Sequence, residues 1–476
     1  KENWPAIIKR IPNTPVENNI LLFIVKKNNY EFVLQTNISS HLYGFTDLKS
    51  LNERGPLVIS YGKGIYVYDT NGNKYLDANS GLWNVCAGFD HPGLVEVAKK
   101  QYEKFPGYHS LFGRLSEETL KLSDKLIEVS PFDQGRVFFC NSGSEANDTM
   151  IKMLWMLNAR TGNPNKRKII TRINGYHGVT LGASSMTAKP YNKEFGLPQK
   201  EFIHADCPHY WKFKNDNESE EEFSKRMALN LENLILKEDP NTIAGFVAEP
   251  VQGAGGVIPP SKNYFELIQP ILKKYKIPFI ADEVICGFGR TGELWGCNTY
   301  NIKPDIIISS KCLTAGYFPM GAVIVDKKFS DNFVEVSEEA EEFPHGFTAG
   351  GHPVGCAIAL KAIDIIINEG LLDNVKSVSP YFLERLNEFN QYKNIGETRG
   401  IGLMAALEMV KNKETKEPFE GHLNMGDTVA NKSIDNGLIC RPLGPAIVLC
   451  PQFIINQKQI DQIFDSLHKT IKEIFK

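Results

Sequence analysis

The stretch Pro304–Gly321, PDIIISSKCLTAGYFPMG, indicates how this chain folds. Its apolar run, Ile306, Ile307 and Ile308, is continuous rather than alternating, which is typical of a central strand in a parallel sheet covered on both faces. A single lysine, Lys311, follows the end of this run, among serines and small residues. A solvated surface lysine is the alternative, but such a lysine normally lies among other polar residues. The stretch therefore predicts an α/β fold with a candidate functional lysine at a sheet edge.

The sequence around this stretch repeats one pattern, in which short apolar runs alternate with helical spacing. Such an alternation predicts a mainly parallel sheet covered by helices. The strand-like runs are RVFFC (136–140), KIITR (168–172), IAGFVAEP (243–250), PFIADEV (278–284), PDIIISS (304–310) and GAVIVD (321–326).

The two ends of the chain have other patterns. Residues 55–87 alternate like a strand meander with an Asn71–Gly72 hairpin turn, and a long helix starts after His352 and ends near Gly370. Later runs, IGLMAALEMV (401–410) and AIVLCP (446–451), look like strands. We predict an N-terminal extension over 1–40, a large domain over 96–350, and a smaller α+β domain built from 41–95 and 351–476.

The composition excludes several classes of partner. Of 476 residues, 42% are hydrophobic and 23% charged, and the net charge of −3 gives no electrostatic basis for binding nucleic acid or an anionic membrane. No apolar run is long enough to span a bilayer. Nine scattered cysteines predict reduced, buried thiols, no metal site and a cytoplasmic protein. An organellar transit peptide is the alternative, against which the acidic Glu2, Glu17 and Glu31 weigh.

A seryl turn precedes one of the predicted helices. Ser142, Gly143 and Ser144 stand between the run ending at Cys140 and a helical pattern, so their hydroxyl and backbone N–H groups can form an anion site at the helix start. The alternative is an ordinary N-cap followed by Glu145. The turn matches neither the dinucleotide fingerprint nor a P-loop.

Two acids, Asp282 and Glu283, end the run PFIADEV. Ligands of open α/β sheets bind at the carboxyl ends of strands, and the two-residue period of a strand allows only one of these side chains to point to a given face. Both acids could instead cap the next loop. A buried carboxylate needs a cationic partner, so Asp282 is expected to have one.

Lys311, the Ser142–Ser144 turn and Asp282 suggest one shared ligand if they meet at a single sheet edge. Such a ligand carries a phosphate for Ser142–Ser144, a protonated nitrogen for Asp282, and a carbonyl that the amine of Lys311 attacks. Pyridoxal 5′-phosphate has all three groups.

Six motifs then carry a resemblance to a known family. In their order and spacing the chain resembles the class III aminotransferases of pyridoxal-phosphate fold type I, from about Leu42 to the C-terminus. The motifs are NSGSEAND (141–148), GYHGVT (175–180), AEPVQGAGG (248–256), ADEVICGFGRTG (281–292), SSKCLTAGYFPMGAV (309–323) and HGFTAGGHPVGCAIA (345–359). The resemblance implies a large domain with a mainly parallel seven-stranded sheet. HLYGFTDL (41–48), DANSGLWN (77–84), GYHSLFGR (107–114) and GLICRPLG (437–444) look most like the amine:pyruvate and ω-amino acid:pyruvate transaminases.

The resemblance also implies roles in cofactor chemistry. Lys311 is expected to hold the cofactor as a Schiff base and then move a proton between substrate and cofactor carbons, with a lowered pKa. Asp282 is expected to keep the pyridine nitrogen protonated. Val284 and Tyr176 are expected on opposite faces of the ring, although without the family pattern Tyr176 would be read as a packed core aromatic.

Four more residues belong to the cofactor site by resemblance. Glu249 is expected near the cofactor edge, and His177 is included without a role, because a lone histidine is more often a structural hydrogen-bonding group. Phe347 and Thr348 lie in HGFTAGG, from which Thr348 is expected to reach the phosphate of a neighbouring subunit. The resemblance therefore implies a homodimer with shared sites, without excluding further pairing into a tetramer.

The substrate side is also expected by resemblance. Arg441 would bind the keto-acid carboxylate bidentately and swing away for an apolar amine, with a surface arginine as the alternative. GABA and ornithine transaminases usually carry an arginine near the position of Val448, and its absence favours pyruvate over 2-oxoglutarate. The predicted pocket walls are Phe45, Trp83, Leu111 and Phe112, of which Leu111 stands where relatives often have an aromatic residue.

We therefore expect a transaminase that moves the amino group of an ω-amino acid or primary amine to pyruvate. A GABA:pyruvate or β-alanine:pyruvate enzyme is the nearest alternative. A decarboxylase, racemase or aminomutase on the same fold, and a non-catalytic relative, are the others, because a fold does not fix a reaction.

Overall fold

The computed structural model describes residues 40–475, except the side chain of His422, together with the backbone of Val25–Lys26 and Asn29–Tyr30. The chain forms two compact units, residues 1–60 and residues 61–476. The predicted extension over 1–40 lies almost wholly outside the described residues, and the predicted domain division stays a prediction.

The strands of the described residues follow the sequence pattern closely. In chain order they are β1 (Val25–Lys26), β2 (Asn29–Tyr30), β3 (Ile59–Lys63), β4 (Tyr66–Asp69), β5 (Lys74–Asp77), β6 (Gly135–Cys140), β7 (Lys168–Arg172), β8 (Phe202–Ala205), β9 (Ile243–Ala248), β10 (Phe279–Asp282), β11 (Ile306–Ser309), β12 (Gly321–Asp326), β13 (Ile395–Ile401), β14 (Met404–Met409), β15 (Leu438–Ile439), β16 (Arg441–Leu443) and β17 (Ala446–Leu449).

Helices fill most of the intervals between these strands. They are α1 (Leu48–Arg54), α2 (Ser80–Trp83), α3 (Pro92–Lys104), α4 (Glu117–Val129), α5 (Gly143–Arg160), α6 (Leu181–Met186), α7 (Tyr210–Phe213), α8 (Glu220–Lys237), α9 (Tyr264–Lys274), α10 (Gly296–Thr299), α11 (Lys327–Glu339), α12 (Pro353–Asn368), α13 (Leu371–Asn387), α14 (Met425–Asp435) and α15 (Gln457–Ile474). No helix among the described residues combines the length and the apolarity needed to cross a bilayer.

The first unit is small. Its described parts include the antiparallel pair β1–β2 and the helix α1, which begins after Asp47. The Asp47 carboxylate caps α1 by accepting hydrogen bonds from the backbone N–H groups of Lys49 (3.0 Å) and Ser50 (3.3 Å).

A seven-stranded sheet, in the order β6-β12-β11-β10-β9-β7-β8, forms the centre of the second unit. Strand β12 is antiparallel to both of its neighbours, whereas the pairs β11–β10, β10–β9, β9–β7 and β7–β8 are parallel. The predicted mainly parallel sheet of seven strands is thus confirmed. Because β6 and β11 both oppose β12, six strands run in one direction and end at the same edge.

Both faces of this sheet are covered, as the continuous apolar runs predict. Ile306 and Ile308 pack into one apolar cluster with Met150 and Leu154 of α5, while Ile307 packs into the other cluster with residues of α8, α9 and α12. All three isoleucines are 0% exposed. The burial of alternate residues on opposite faces explains why the strand has no polar positions.

Two four-stranded sheets accompany the central one, in the orders β13-β14-β17-β16 and β15-β5-β4-β3. The predicted strand over 401–410 is wrong in part, because Ile401 ends β13 and only Met404 starts β14. Gly402 makes the turn between them with φ +57°, and a Cβ there would lie 2.3 Å from the Arg290 carbonyl oxygen. Only glycine fits this turn.

Candidate active site

A cavity of ≈ 120 Å³ opens where the six codirectional strands end. In an α/β sheet, this edge is the usual place for a ligand. The lining residues come from the loops after β6, β7, β9, β10 and β11, and they are Gly143, Ser144, Tyr176, His177, Gly178, Glu249, Asp282, Val284, Ile285, Ser310 and Lys311.

Lys311 begins a short 3-10 turn directly after β11. Its φ of +45° lies in the left-handed region, where a residue with a side chain is strained and such strain often accompanies function. Burial lowers the pKa of its ammonium group, the charges of Asp282 and Glu249 oppose that shift, and the charge of Arg441 adds to it. Lys311 is therefore a half-buried amine that loses its proton more readily than a surface lysine.

Asp282 is the last residue of β10 and is 2% exposed. Its Oδ2 accepts hydrogen bonds from His177 Nδ1 (2.7 Å) and Asn147 Nδ2 (3.1 Å), and its Oδ1 accepts one from the backbone N–H of Val284 (3.1 Å). These donors fix the carboxylate at the cavity wall. A buried carboxylate held in this way can bind a protonated nitrogen of a ligand.

Glu283 points away from the cavity. Its two oxygens accept hydrogen bonds from the backbone N–H groups of Gly296 (2.9 Å) and Cys297 (2.6 Å), at the start of α10. Burial raises the pKa of its carboxyl to about 7. The two adjacent acids thus face opposite ways, as the period of a strand requires, and Glu283 has the loop-capping role that was the alternative for both.

The start of α5 forms another wall. Ser142 caps the helix with its Oγ, which accepts from the backbone N–H of Glu145 (3.2 Å), while Ser144 Oγ accepts from the backbone N–H of Val179 (3.0 Å). The N–H groups of Gly143 and Ser144 stand in the first turn, where no intrahelical acceptor exists. They can therefore bind an anion, with the dipole of an 18-residue helix behind them.

Gly143 also brings this helix close to the neighbouring strands. A Cβ at this position would lie 2.9 Å from Val284 Cγ2 and 3.6 Å from Ser310 Cβ. The helix start, the segment after β10 and the segment after β11 are consequently in van der Waals contact around one space.

The side chain of Glu249 is hydrogen-bonded to the backbone of Tyr176. Glu249 is 2% exposed, and its oxygens accept hydrogen bonds from the N–H groups of Tyr176 (3.0 Å) and Gly253 (2.8 Å). Burial raises the pKa of this carboxyl. Glu249 therefore holds the loop that carries Tyr176, and both residues line the cavity.

The residues of this cavity fit pyridoxal 5′-phosphate. The start of α5 can bind the phosphate, the carboxylate of Asp282 can bind a protonated ring nitrogen, and the amine of Lys311 can react with the carbonyl carbon. The glycine at position 143 leaves space that a side chain would fill, between the anion site and Val284. The chemistry of the donor set and this space both agree with the cofactor predicted from the sequence.

Arg441 lies in β16, directly opposite Val448 of β17, so the two side chains are on the same face of the sheet. The guanidinium carbon is 5.0 Å from the ring centroid of Trp83, which is 1% exposed. Burial lowers the pKa of Arg441. Within residues 40–475 no hydrogen bond or salt bridge of its guanidinium is found, and this leaves it available for a substrate carboxylate.

Four other predicted site residues of the second unit do not line this cavity. Thr348 is exposed and Phe347 half-buried. Leu111 is half-buried next to Gly346, and Phe112 is 83% exposed. Phe45 belongs to the first unit and is exposed. Their predicted roles in the cofactor and substrate sites stay predictions.

Sequence reasoning missed several residues around the site. Asn147 donates to Asp282 and also to the carbonyl oxygen of His177 (2.8 Å), which joins the two. Its position one helical turn after Gly143 was a usable signal, because both then face the same side. Lys189 and Tyr191 interact electrostatically with Arg441, and burial lowers the pKa of Lys189 and raises that of Tyr191 to about 12. No motif pointed to these two.

Comparison with known proteins agrees with this geometry. Residues 50–471 match the Aminotransferase class-III family. An aminotransferase of Vibrio fluvialis, solved in its PMP-bound form, is 60% identical, with a TM-score of 0.91 over 92% of this chain and 96% of that one. An ω-aminotransferase of Paracoccus denitrificans is 59% identical, with the same TM-score over 92% of this chain and 97% of that one.

Among curated proteins, the chloroplastic γ-aminobutyrate transaminase 3 of Solanum lycopersicum is 46% identical over 88% of this chain and 81% of its own length. A mutant of the Vibrio fluvialis enzyme has been solved in its PLP-bound form. The seven-stranded sheet is therefore that of fold type I, and the predicted class of enzyme is confirmed. Because the family match covers residues 50–471, and a lysine, an aspartate and a helix start converge on one cavity, the chain belongs to the class III aminotransferases and uses pyridoxal 5′-phosphate.

Proposed function

We propose that the protein transfers the amino group of an ω-amino acid or a primary amine to pyruvate, in two half-reactions that use one site. The observation that carries this proposal is the half-buried Arg441, which lies over the ring of Trp83 and has no ion pair within residues 40–475. A cation in that position suits a short keto acid with a single carboxylate.

The cofactor-side residues have distinct tasks in this proposal. Pyridoxal phosphate, when bound, supplies a conjugated ring that stabilises negative charge on the substrate carbon. Lys311 would hold the cofactor through its amine and would then take and return a proton at the substrate carbon, which its lowered pKa favours. Asp282 holds a proton on the ring nitrogen, and Gly143 and Ser144 hold the phosphate through their N–H groups.

The substrate-side residues explain how one site accepts two chemically different molecules. The planar guanidinium of Arg441 binds the pyruvate carboxylate through paired hydrogen bonds. It stacks on Trp83 rather than forming an ion pair within residues 40–475, so it can move away when an apolar amine enters. Phe45, Leu111 and Phe112 are proposed as further walls of this substrate pocket.

A panel of donors tests the proposal. The holoenzyme is incubated with primary amines and ω-amino acids, with either pyruvate or 2-oxoglutarate as acceptor, and alanine and glutamate are quantified. We expect alanine with several donors and much less glutamate. Predominant glutamate formation, or amine consumption without either amino acid, would refute pyruvate-dependent transamination.

The variant Arg441→Gln separates the two half-reactions. Because a bidentate contact with a carboxylate is lost, we expect KM for pyruvate to rise by about one to two orders of magnitude, with a much smaller change in the rate for a carboxylate-free amine. Leu443→Met, a size-conserving change in the same strand, is the matched control and should leave both values unchanged.

γ-Aminobutyrate or β-alanine as the donor, with pyruvate as acceptor, is the second candidate. The names of the curated relatives, among them the 46% identical tomato enzyme, favour it. Both donors carry a carboxylate that Arg441 can bind, so the same panel decides between them and simple amines. Membership of an aminotransferase family favours both candidates over decarboxylation or an aminomutase reaction.

We also propose a homodimer located in the cytoplasm. Phe347 and Thr348 stand outside the cavity of their own chain, in agreement with a role in a neighbouring subunit's site. All nine cysteines are buried and unpaired, as predicted, which suits a reducing compartment. Plant relatives named chloroplastic or mitochondrial make an organelle the alternative, and a fluorescent fusion of the full-length protein distinguishes the two.

A further inference from the structure

A buried arginine of the sheet β13-β14-β17-β16 reaches across to the loop that follows β9. Arg399 lies in β13 and is 9% exposed. Its Nε donates to the carbonyl oxygens of Gly256 (3.0 Å) and Val257 (3.0 Å), and its Nη2 also donates to that of Gly256 (2.7 Å). One guanidinium therefore makes three hydrogen bonds to two consecutive carbonyl groups.

The turn that accepts these hydrogen bonds has a strained backbone. The N–H groups of Gly256 (3.0 Å) and Val257 (2.8 Å) both donate to the carbonyl oxygen of Gly253. Val257 has a φ of +49°, in the left-handed region, which a β-branched residue rarely adopts. Such a conformation persists only where the surrounding contacts impose it, and the guanidinium of Arg399 supplies contacts of this kind.

The same turn presents a hydrogen-bond donor to the candidate active site. The N–H of Gly253 donates to one carboxylate oxygen of Glu249 (2.8 Å), and the other oxygen accepts from the N–H of Tyr176 (3.0 Å). Glu249 and Tyr176 both line the cofactor cavity, whereas Arg399 does not. Hydrogen bonds therefore connect Arg399, through the turn over 253–257, to two residues of the cavity wall.

Arg399 also has two acidic partners in its own sheet. Glu397 of β13 and Glu408 of β14 are paired directly opposite each other, which two like charges disfavour. Nη1 of Arg399 donates to Glu397 (2.7 Å) and Nη2 donates to Glu408 (2.7 Å). Balancing these two charges is the alternative role for Arg399. It does not account for Nε, whose hydrogen bonds within residues 40–475 go to the turn.

We propose that Arg399 is a positioning residue of the cofactor site, which fixes the turn over 253–257 and thereby the carboxylate of Glu249 and the backbone of Tyr176. A guanidinium has five N–H donors in a planar arrangement, enough for two carbonyl groups and two carboxylates at once. A lysine would keep the charge, but its three donors on one nitrogen cannot reach all four acceptors. This role involves neither the amine nor the keto acid, so it does not depend on the proposed substrates.

The test compares Arg399→Lys with the wild type in the full-length holoenzyme. Hydrogen exchange followed by mass spectrometry should be about tenfold faster in the peptides that contain residues 249–257 and 174–178, because the hydrogen bonds that hold both segments are weakened. Equilibrium dialysis should show about tenfold weaker binding of pyridoxal phosphate. Both measurements are made without substrate, so this proposal and the proposed function can fail separately.

Two control variants separate positioning from charge balance and from general stability. Glu408→Gln removes one of the acidic charges but keeps Arg399 and its bonds to the turn, so cofactor affinity should stay as in the wild type. Arg385→Lys makes the same substitution at an arginine of α13 that forms ion pairs with Asp461 and Asp465 of α15. It should change neither the cofactor affinity nor the exchange of the two peptides.

Gly256→Ala perturbs the same contact from the side of the turn. A Cβ at this position would lie 2.9 Å from Nη2 of Arg399, and the φ of +119° suits glycine. We expect the same faster exchange and weaker cofactor binding as in Arg399→Lys, and this variant decides the question if Arg399→Lys does not fold. Unchanged cofactor affinity, faster exchange spread evenly over the chain, or an equal loss of affinity in Glu408→Gln would overturn the proposal.

Discussion

The chemistry of single residues depends on their surroundings, which change the pKa of Lys311 and fix the position of Asp282. Lys311 is unusual because it combines a left-handed backbone, partial burial and nearby opposite charges. Asp282 is positioned by three donors, one of which belongs to His177. The sequence named both residues, yet it could not reveal that the neighbours Asn147 and His177 hold the carboxylate. Long-range side-chain contacts of this kind leave no local pattern.

The lowered pKa of Lys311 predicts how apoenzyme takes up its cofactor. Only the neutral amine attacks a carbonyl, so the rate of reconstitution with pyridoxal phosphate should rise with pH to a plateau. Its midpoint should lie below 10.5, the ordinary value for lysine. In Arg441→Gln the midpoint should move upward, because a neighbouring positive charge is removed. A midpoint at or above the ordinary value would contradict the assigned environment.

His177 is predicted to act by positioning Asp282. The variant His177→Phe removes a hydrogen bond to a charged acceptor, worth about 1.5–3 kcal/mol, so cofactor affinity should fall roughly 10- to 100-fold. Fluorescence titration of apoenzyme measures the affinity. His177→Gln, which keeps a donor, should recover part of it, and His468→Phe, at a histidine on α15, should change nothing. Equal losses in the Phe and Gln variants would assign His177 a packing role only.

Secondary-structure elements determine where these residues meet. The strands β9, β10 and β11 could be recognised because continuous burial leaves an unmistakable apolar run. Strand β8, FIHA, was missed, since four residues with a central histidine carry little signal at a sheet edge. The break at Gly402 was missed for a different reason: the approach of the Arg290 carbonyl oxygen, which forbids a side chain there, is a tertiary contact.

The contact between α5 and β10 predicts the effect of one added methyl group. In Gly143→Ala the Cβ would lie 2.9 Å from Val284 Cγ2, so the helix start or the valine must shift. Such overpacking costs about 1–3 kcal/mol, which we expect as weaker cofactor binding, by about tenfold or more, and a lower thermal midpoint. Gly421→Ala has open space around it and is the matched control. An unchanged affinity in Gly143→Ala would show that the anion site lies elsewhere.

For the whole molecule, the sequence was sufficient to identify the class of fold and the sheet edge with the cavity, because five of the six ordered motifs lie at strand ends. It was insufficient for the substrate pocket. Arg441 is explained by its register opposite Val448 and its stacking on Trp83. Phe45, Leu111 and Phe112 are exposed or half-buried, and their role as pocket walls stays a prediction.

A shared site predicts the behaviour of mixed dimers. Thr348→Ala homodimers should bind the cofactor about tenfold more weakly, because a hydrogen bond to a phosphate is lost. Differently tagged Lys311→Ala and Thr348→Ala chains are then co-expressed and the heterodimer purified. One of its two sites combines Lys311 and Thr348 from different chains, so that site should show wild-type affinity and activity. A heterodimer that binds only weakly would contradict exchange of residues between subunits.

The most direct measurement is chemical trapping of the cofactor on the protein. Borohydride would reduce the carbon–nitrogen double bond between lysine and pyridoxal phosphate to a stable single bond, and peptide mass spectrometry then locates the modified residue. We predict one modified residue, Lys311, in the peptide that follows Ile306–Ser309. Modification of Lys189, a second lysine that interacts with Arg441, or the absence of any trapped cofactor, would contradict the assignment.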